Sequence, residues 1–211
     1  MARLLTQPQV PISGPFTESG HREGRMTAFE ATSELPGPSK ALRADLTELR
    51  SGLQSHMREE FRRYVSFPDL LVDRWTRARE YGFGAGSSCY DNVLVLGEVA
   101  IGEETWIGPN VVLDGSGGLS VGAYCSISAG AQIYSHSSVE WSTSLGEAPI
   151  NRSGTRIGDG VYIGPGAIVE MGVTIGDRAI IGALTLVRYD VPPGAKCFGV
   201  PGRLVDPGLS E

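Results

Sequence analysis

Cysteine and histidine are both scarce in this chain of 211 residues, with three of each. The cysteines, Cys89, Cys125 and Cys197, are odd in number and do not have metal-ligand spacing. This argues against a disulfide framework and against a structural zinc site. A reducing compartment is therefore expected, and the predicted location is the cytoplasm.

Long apolar runs and excess basic charge are also missing. No run approaches the ~20 residues of a membrane span, and the first 25 residues lack the apolar block of a signal peptide. We therefore expect no membrane span, while peripheral contact with a membrane stays open. With 18 basic against 24 acidic side chains the net charge is −6, so composition gives no reason to expect a nucleic-acid partner.

The first 82 residues divide into two parts. Residues 1–38 are rich in Pro, Gly, Ser and Thr and lack periodicity, which predicts a disordered lead. Residues 39–82 form a predicted helical segment of two helices joined near Ser66, with Gly82 as the stop. An apolar stripe at spacings of three and four marks the first helix: Leu42, Leu46, Leu49, Leu53, Met57, Phe61 and Tyr64. We expect packing on the following domain or a subunit contact, with partner binding or a membrane-surface role as the alternative.

Glycine is abundant, at 29 residues, and it accompanies a repeat of six. From residue 95 onward an Ile, Leu or Val recurs every six residues, apart from a two-residue slip in "DGSGGL" and a longer interruption after residue 133. The positions are Val95, Ile101, Ile107, Leu113, Val121, Ile127, Ile133, Ile157, Ile163, Val169, Ile175, Ile181 and Val187. A small or β-branched residue stands four places after most of them, and glycine often stands immediately after.

A period of six fits neither an α-helix nor an alternating strand, but it fits a short strand plus a turn. Three such units make one triangular coil, and successive coils pair at the ordinary strand spacing of ~4.8 Å. The repeated Ile, Leu and Val side chains then stack inside. The glycines are expected to serve the turns, which need a permissive backbone.

Residues 90–205 resemble the hexapeptide-repeat acyltransferases, on the strength of this repeat and the closing "VPPGAKCFGVPGRLV". The stretch "WIGPNVVLDGSGGLSVGAYCSISAGAQIYSHSSVEW" is most similar to the branch that O-acetylates sugars of bacterial surface polysaccharides. The resemblance implies a mainly β fold, the left-handed parallel β-helix. That handedness is an exception to the usual right-handed crossover.

Acetyl transfer to a hydroxyl needs a base for its proton, and histidine titrates near neutrality. His21 lies in the lead and His56 on a helix, where a surface or packing role is expected. His136 follows "IYS" where the repeat breaks off, and it matches the family's catalytic histidine. Zinc carbonic anhydrases of the same fold use three histidines, whereas residues 90–205 contain one, so we predict no metal in the site.

The interruption is predicted to be a loop excursion over residues 137–156. A β-helix face is flat, so a loop that arches over a neighbouring subunit would supply the wall of a pocket; a tolerated surface insertion is the alternative. Three residues are predicted to bind the acceptor. Trp141 could stack on a sugar or anchor the loop, and Asn110 is the second of the three. The third, Asp114, lies roughly where the resemblance implies an acidic substrate contact, with turn formation as the alternative.

The resemblance also implies acetyl-CoA as co-substrate, bound along the last coils, and a homotrimer with sites between subunits. Carried over by motif, Ala183 is a backbone contact, Arg188 a nearby cation and Arg203 a phosphate contact. The sequence departs from the family at Leu184, where Gly or Asn is more usual, and at Arg188 and Tyr189.

Taken together, the repeat and the resemblance imply an acetyl-CoA-dependent O-acetyltransferase for a sugar hydroxyl, in cell-surface polysaccharide or glycolipid synthesis. The acceptor would be a small molecule or a glycan. Two alternatives stay open: N-acetylation of a nucleotide-linked amino sugar or an antibiotic, and a non-catalytic β-helix scaffold.

Overall fold

The structure, a computed structural model, describes residues 37–205, so the predicted disordered lead falls almost entirely outside the described residues. The chain divides into two units between Glu48 and Leu49. Helix α1 spans Gly37–Phe61. In the first unit its stripe residues Leu42 and Leu46 are exposed; in the second, Leu49 and Phe61 are exposed. His56 is also exposed on this helix.

The second predicted helix is two helices, α2 at Phe67–Leu71 and α3 at Arg74–Glu80. The break falls at Val72, which is extended, and at Asp73, whose carboxylate accepts hydrogen bonds from the backbone N–H groups of Trp75 and Thr76. Asp73 therefore caps a new helix. The predicted stop is present, because Gly82 follows α3 with a φ of 73°.

Sixteen short strands make up most of the rest of the described chain. They are β1 Ser88–Cys89, β2 Leu94–Ile101, β3 Trp106–Ile107, β4 Val112–Val121, β5 Ser126–Ile127, β6 Gln132–Ile133, β7 His136–Ser137, β8 Asn151–Arg152, β9 Thr155–Ile157, β10 Tyr162–Ile163, β11 Ile168–Val169, β12 Thr174–Ile175, β13 Ile180–Ile181, β14 Leu186–Val187, β15 Lys196–Phe198 and β16 Arg203–Val205.

The strands stack in parallel on three faces of a coil. The first face contains β1, β3, β5, β10, β13 and β15 and is closed by the antiparallel β16. The second face contains the first halves of β2 and β4, followed by β6, β11 and β14. The third face contains the second halves of β2 and β4, followed by β9 and β12.

The repeat positions form the core of the coil. Of the thirteen, all but Val95 are buried, and Val95 is partly buried against the same core. Small side chains four places further on, such as Thr105, Ala131 and Ala167, are buried between them. The predicted columns of Ile, Leu and Val are thus present, and their burial supplies the main stabilising term of the coil.

The glycines that follow the repeat positions do not serve the turns as predicted. At Gly102 and Gly164 an added Cβ would lie 2.6 Å and 2.5 Å from backbone nitrogen in the next coil, and neither has a positive φ. These glycines allow two coils to approach closely. The left-handed turn residue comes two places later, and it is often not glycine, as at Glu104, Asn110 and Leu184.

The excursion lies between the second and third faces. The chain leaves the coil after β6 and rejoins it at β9. Strands β7 and β8 pair antiparallel at its base, with Ser137 opposite Asn151, and helix α4, Val139–Thr143, follows β7. Since Ile133 is on the second face and Ile157 on the third, the excursion replaces one ordinary corner of a coil.

Candidate active site

Two irregularities lie on the same corner of consecutive coils. The slip "DGSGGL" lies within β4, and the excursion begins one coil further on, because Leu113 pairs with Ile133. The backbone N–H of Gly117 donates to Ser135 Oγ at 2.8 Å and joins the two irregularities. Asp114 and His136 each come directly from these segments, so the local departures from the repeat bring them together.

Asp114 holds His136 through several hydrogen bonds. Its Oδ2 accepts from the backbone N–H of Ser135 at 3.0 Å and of His136 at 3.1 Å, and it also contacts His136 Nδ1. Its Oδ1 accepts from the Ser116 N–H at 2.9 Å. The Asp114 side chain is fully buried, whereas the His136 side chain is 30% exposed. The carboxylate therefore anchors both the backbone and the ring of the histidine.

Asp114 is a carboxylate at neutral pH. Burial alone would raise its pKa, but the hydrogen bonds from Ser116, Ser135 and His136 outweigh burial and lower the pKa to about 2. An ionised carboxylate against Nδ1 favours the tautomer with hydrogen on Nδ1, which leaves the Nε2 lone pair available. Among residues 37–205, Nε2 has no hydrogen-bond partner. This arrangement can accept a proton.

This geometry argues against the predicted contact between Asp114 and the acceptor. Asp114 has no exposed surface, and both of its carboxylate oxygens accept hydrogen bonds from the protein. A side chain in that position orients the histidine and does not reach a ligand. The pattern of residues indicated a functional acid here, but its partner lies 22 residues away on the next coil.

Asn110 lies at a different corner, between the first and second faces. Its φ is 58°, and its side-chain oxygen accepts a hydrogen bond from Asn92 Nδ2 at 2.6 Å. This is a turn-forming position, and the described chain does not bring it to His136. Trp141 lies on α4 and is 47% exposed, with its carbonyl oxygen accepting from the Gly146 N–H. Its role as an acceptor contact stays a prediction.

The three residues predicted to bind acetyl-CoA are all exposed and come from different elements of the last coils. Ala183 is at the corner that precedes β14, and Arg203 is on β16. Arg188 lies on the same corner as His136, two coils further on, and forms an ion pair with Glu170 at 3.1 Å. Leu184 has a φ of 56°, which explains why Gly or Asn is usual there.

A groove that the sequence did not predict runs along the third face beside the slip. Its volume is about 600 Å³, and its lining includes Gly117, Gly118, Gly154 and Arg156. Gly118 has a φ of 91°, a left-handed conformation that favours glycine. The run of glycines in "DGSGGL" was the available signal.

The cysteines and the other possible metal ligands can be located in the described chain. Burial raises the pKa of Cys89 to about 12 and also raises the pKa of Cys125 and Cys197, so none of these buried thiols is a ready nucleophile. Within residues 37–205 no group of three or more His, Cys, Asp or Glu side chains is placed to hold a metal ion. No helix in the same range is long and apolar enough to cross a membrane.

Comparison with known proteins agrees with this architecture. Residues 154–188 match the family model described as bacterial transferase hexapeptide (six repeats). None of the curated protein sequences matches the chain. A hexapeptide-repeat acetyltransferase of Vibrio cholerae O1 biovar eltor, complexed with acetyl coenzyme A, is similar in structure, with a TM-score of 0.58 and 23% identity over 81% of this chain and 88% of that one.

Two further solved structures are also similar. Galactoside acetyltransferase in complex with coenzyme A has a TM-score of 0.56 and 20% identity, over 76% of this chain and 81% of that one. A variant of AntD, an N-acyltransferase from Bacillus cereus, in complex with dTDP and coenzyme A, has a TM-score of 0.53 and 21% identity, over 59% of this chain and 71% of that one.

These comparisons confirm the predicted fold, the left-handed parallel β-helix of hexapeptide repeats. The family-model match also confirms the predicted hexapeptide-repeat relationship for residues 154–188.

Proposed function

We propose that this protein transfers an acetyl group from acetyl-CoA to a sugar hydroxyl, with His136 as the general base and Asp114 as its positioning residue. The observation that carries the proposal is the buried carboxylate of Asp114 against Nδ1 of a half-buried histidine at the start of the excursion. A histidine held in one tautomer, with its other nitrogen unengaged, is suited to removing a proton.

The proposed reaction is a single displacement. Nε2 of His136 takes the proton of the acceptor hydroxyl as its oxygen attacks the thioester carbonyl carbon. The C–O bond forms and the C–S bond breaks, and the proton passes from the histidine to the leaving thiolate. Asp114 stabilises the imidazolium that exists between the two proton transfers. No acyl-enzyme is needed.

The similar structures support the class of co-substrate. Acetyl coenzyme A is bound to the Vibrio cholerae protein, and coenzyme A is bound to galactoside acetyltransferase. For this chain we propose contacts from Ala183, Arg188 and Arg203, on the exposed surface of the last coils. We also propose a cytoplasmic homotrimer, in which a neighbouring subunit completes each acceptor pocket, and a role in cell-surface polysaccharide or glycolipid synthesis.

N-acetylation of a nucleotide-linked amino sugar is the second candidate, because the similar AntD structure is a complex with dTDP. Both reactions use a base in the same place, because the attacking oxygen or nitrogen must lose a proton. A thiol-release assay with acetyl-CoA separates them. It would compare hexoses, oligosaccharides, nucleotide-linked amino sugars and aminoglycosides as acceptors, and thiol release with hydroxyl acceptors alone is the expected result.

His136→Ala is the decisive variant for either reaction. Loss of a general base costs about 10²- to 10⁴-fold in turnover, while Asp114 keeps its three backbone N–H donors when the imidazole is removed. We expect this loss of turnover with a melting temperature near wild type. Unchanged turnover would refute the assignment of His136. A calorimetric titration with acetyl-CoA tests the scaffold alternative, which requires that no binding occurs.

A further inference from the structure

A second cavity, of about 480 Å³, lies among the helices that precede the coil, and the proposed acetyl transfer does not use it. Its walls are mainly apolar and come from the end of α1, the segment before α2, the start of α3 and the residue after β1: Met57, Phe61, Val65, Trp75 and Tyr90. The volume is within the ~300–1,000 Å³ of small-molecule sites. All of these residues belong to the second unit.

Two acidic residues also line the cavity, but the protein already uses both. Asp69 forms a buried ion pair with Arg77 and accepts hydrogen bonds from the Asp91 N–H and the Ser66 hydroxyl. Asp73 accepts three hydrogen bonds at the start of α3, from two backbone N–H groups and the Thr76 hydroxyl. Neither carboxylate therefore needs a cation from a ligand.

Two arginines line the same cavity without a carboxylate partner. The guanidinium carbon of Arg74 lies 4.4 Å from the centre of the Trp75 ring and 5.5 Å from that of Tyr90, and Nη1 donates to the Tyr90 hydroxyl at 3.4 Å. The rings hold this cation in place, and no carboxylate among the described residues lies within ion-pair distance of it. Arg63 forms no ion pair with any residue that the structure describes. The guanidinium groups of these two arginines are therefore the charged hydrogen-bond donors available to a ligand in the cavity.

We propose that this cavity binds a small amphiphilic anion, a single apolar chain that ends in a phosphate or a carboxylate. The chain lies against Met57, Phe61, Val65 and Trp75, and the anionic head contacts Arg63 and Arg74. A guanidinium pre-oriented by stacking loses little freedom when it binds such a head group. The site is separate from the Asp114–His136 pair and does not depend on the acetyl transfer.

Tryptophan fluorescence of the full chain tests this proposal with octyl phosphate as the probe. We expect a saturable change that Trp75→Phe abolishes and Trp141→Phe preserves. Octyl glucoside has the same chain without a charge and should bind at least tenfold more weakly; inorganic phosphate alone should give no saturable change. Octanoate tests a carboxylate head group in place of the phosphate. Saturable binding of either octanoate or octyl phosphate supports the site.

Arginine variants locate the charge. Arg63→Gln and Arg74→Gln should each weaken octyl phosphate about tenfold, the effect of losing one charge-assisted hydrogen bond. Arg79→Gln, on the same helix as Arg74 but outside the cavity, should leave the affinity unchanged. Circular dichroism checks that each variant is folded, and Arg63 is exposed enough to be replaced safely. Equal affinity for the charged and neutral chains, unchanged affinity in both cavity variants, or no saturable change would each overturn the proposal.

Discussion

Asp114 determines which nitrogen of His136 can accept a proton. Its carboxylate lies against Nδ1, and it also accepts a hydrogen bond from the backbone N–H of the same residue. The backbone and Nδ1 of His136 are therefore fixed by the same carboxylate, and Nε2 is held on the opposite side of the ring. In the proposed reaction this geometry reduces the reorganisation needed when the acceptor hydroxyl arrives.

Asp114→Asn should separate orientation from folding. The amide is nearly the same size, but its NH₂ can donate to Nδ1 and so stabilise the tautomer with hydrogen on Nε2, which cannot act as a base. We expect kcat to fall roughly 10²- to 10⁴-fold, with little change in the KM for acetyl-CoA. Steady-state kinetics at neutral pH measure both. A fall in affinity with kcat preserved would instead indicate direct ligand contact.

Asp114 should also make stability depend on pH in the acid range. Its pKa falls from an ordinary 3.8 to about 2 in the folded chain, so the unfolded chain binds the proton more readily. The contribution, about 2 kcal/mol, is fully present above pH ~4 and is lost as pH falls towards 2.

Urea denaturation at pH 7 and at successively lower pH, on wild type and Asp114→Asn, measures this contribution. The free energies of unfolding of the two proteins should converge as pH falls through the folded pKa. A constant difference between them would show that the carboxylate charge does not stabilise the fold.

The two members of this pair differ in how well the sequence predicted them. His136 stands alone at the end of a regular repeat, and this position led to the prediction of a general base, which stays a prediction. Asp114 was also singled out, but its role depends on which residue of the next coil lies on the same corner. Counting the repeat through the slip would have placed Leu113 and Ile133 on one face, and their following residues on one corner. Hydrogen bonding within that corner has no pattern in the sequence.

Arg77 joins the short helices to the first coil. It is 5% exposed, and its guanidinium reaches both carboxylates and carbonyl groups. The acceptors are the side chains of Asp69 and Asp91 and the carbonyl oxygens of Pro68, Val72 and Cys89. The buried cation is thus fully satisfied, and α2, α3 and β1 depend on the same side chain.

Arg77→Met should therefore destabilise strongly, although the side chain keeps most of its length. Removing one partner of a buried ion pair leaves the other charge uncompensated, which costs about 3–5 kcal/mol. Arg79→Met is the matched control, because Arg79 is exposed on the same helix and, within residues 37–205, its guanidinium donates only to Thr76 Oγ1. Chemical denaturation of both variants gives the comparison, and similar losses in the two would contradict a central role for Arg77.

A second prediction at this scale concerns the glycines after the repeat positions, where an added side chain should destabilise the coil. Gly164→Ala places a Cβ 2.5 Å from the backbone nitrogen of Ala183, so the two coils must separate. Overpacking of this kind costs about 1–3 kcal/mol. At Gly52 on α1 nothing lies within 4 Å, and Gly52→Ala should be neutral or stabilise by up to ~1 kcal/mol. Thermal unfolding measures both variants. The melting temperature should fall for Gly164→Ala and should stay unchanged or rise for Gly52→Ala.

Helix boundaries were less predictable than the coil, for a physical reason. The period of six is imposed by stacking, so it repeats along the sequence and can be counted. The break between α2 and α3 depends on one local choice, in which Asp73 caps a helix and Val72 stays extended. The acidic residue before "RWTRARE" was a usable capping signal, but a continuous apolar face from Leu71 to Trp75 favoured a single helix.

At the scale of the whole molecule, the coil carries irregular segments without losing its register. The slip in β4 and the excursion after β6 fall on one corner, and β5 still pairs with β10 across the excursion. Each coil contacts mainly its neighbours, so an insertion at a corner affects little else. This is how a flat-sided scaffold can present a base and a loop at one edge.

Because each coil contacts mainly its neighbours, we expect that the excursion can be shortened without unfolding the coil. Ser137 and Asn151 already face each other in the β7–β8 pair, so residues 138–150 can be replaced by an Asn-Gly turn that closes the hairpin. Because loop length contributes little to stability, we expect the free energy of unfolding to change by no more than about 1 kcal/mol. If the excursion walls the acceptor pocket, turnover should fall while acetyl-CoA binding, measured by calorimetry, is retained. A chain that no longer folds would show that the excursion holds the coil together, and full turnover would show that it is a tolerated surface insertion.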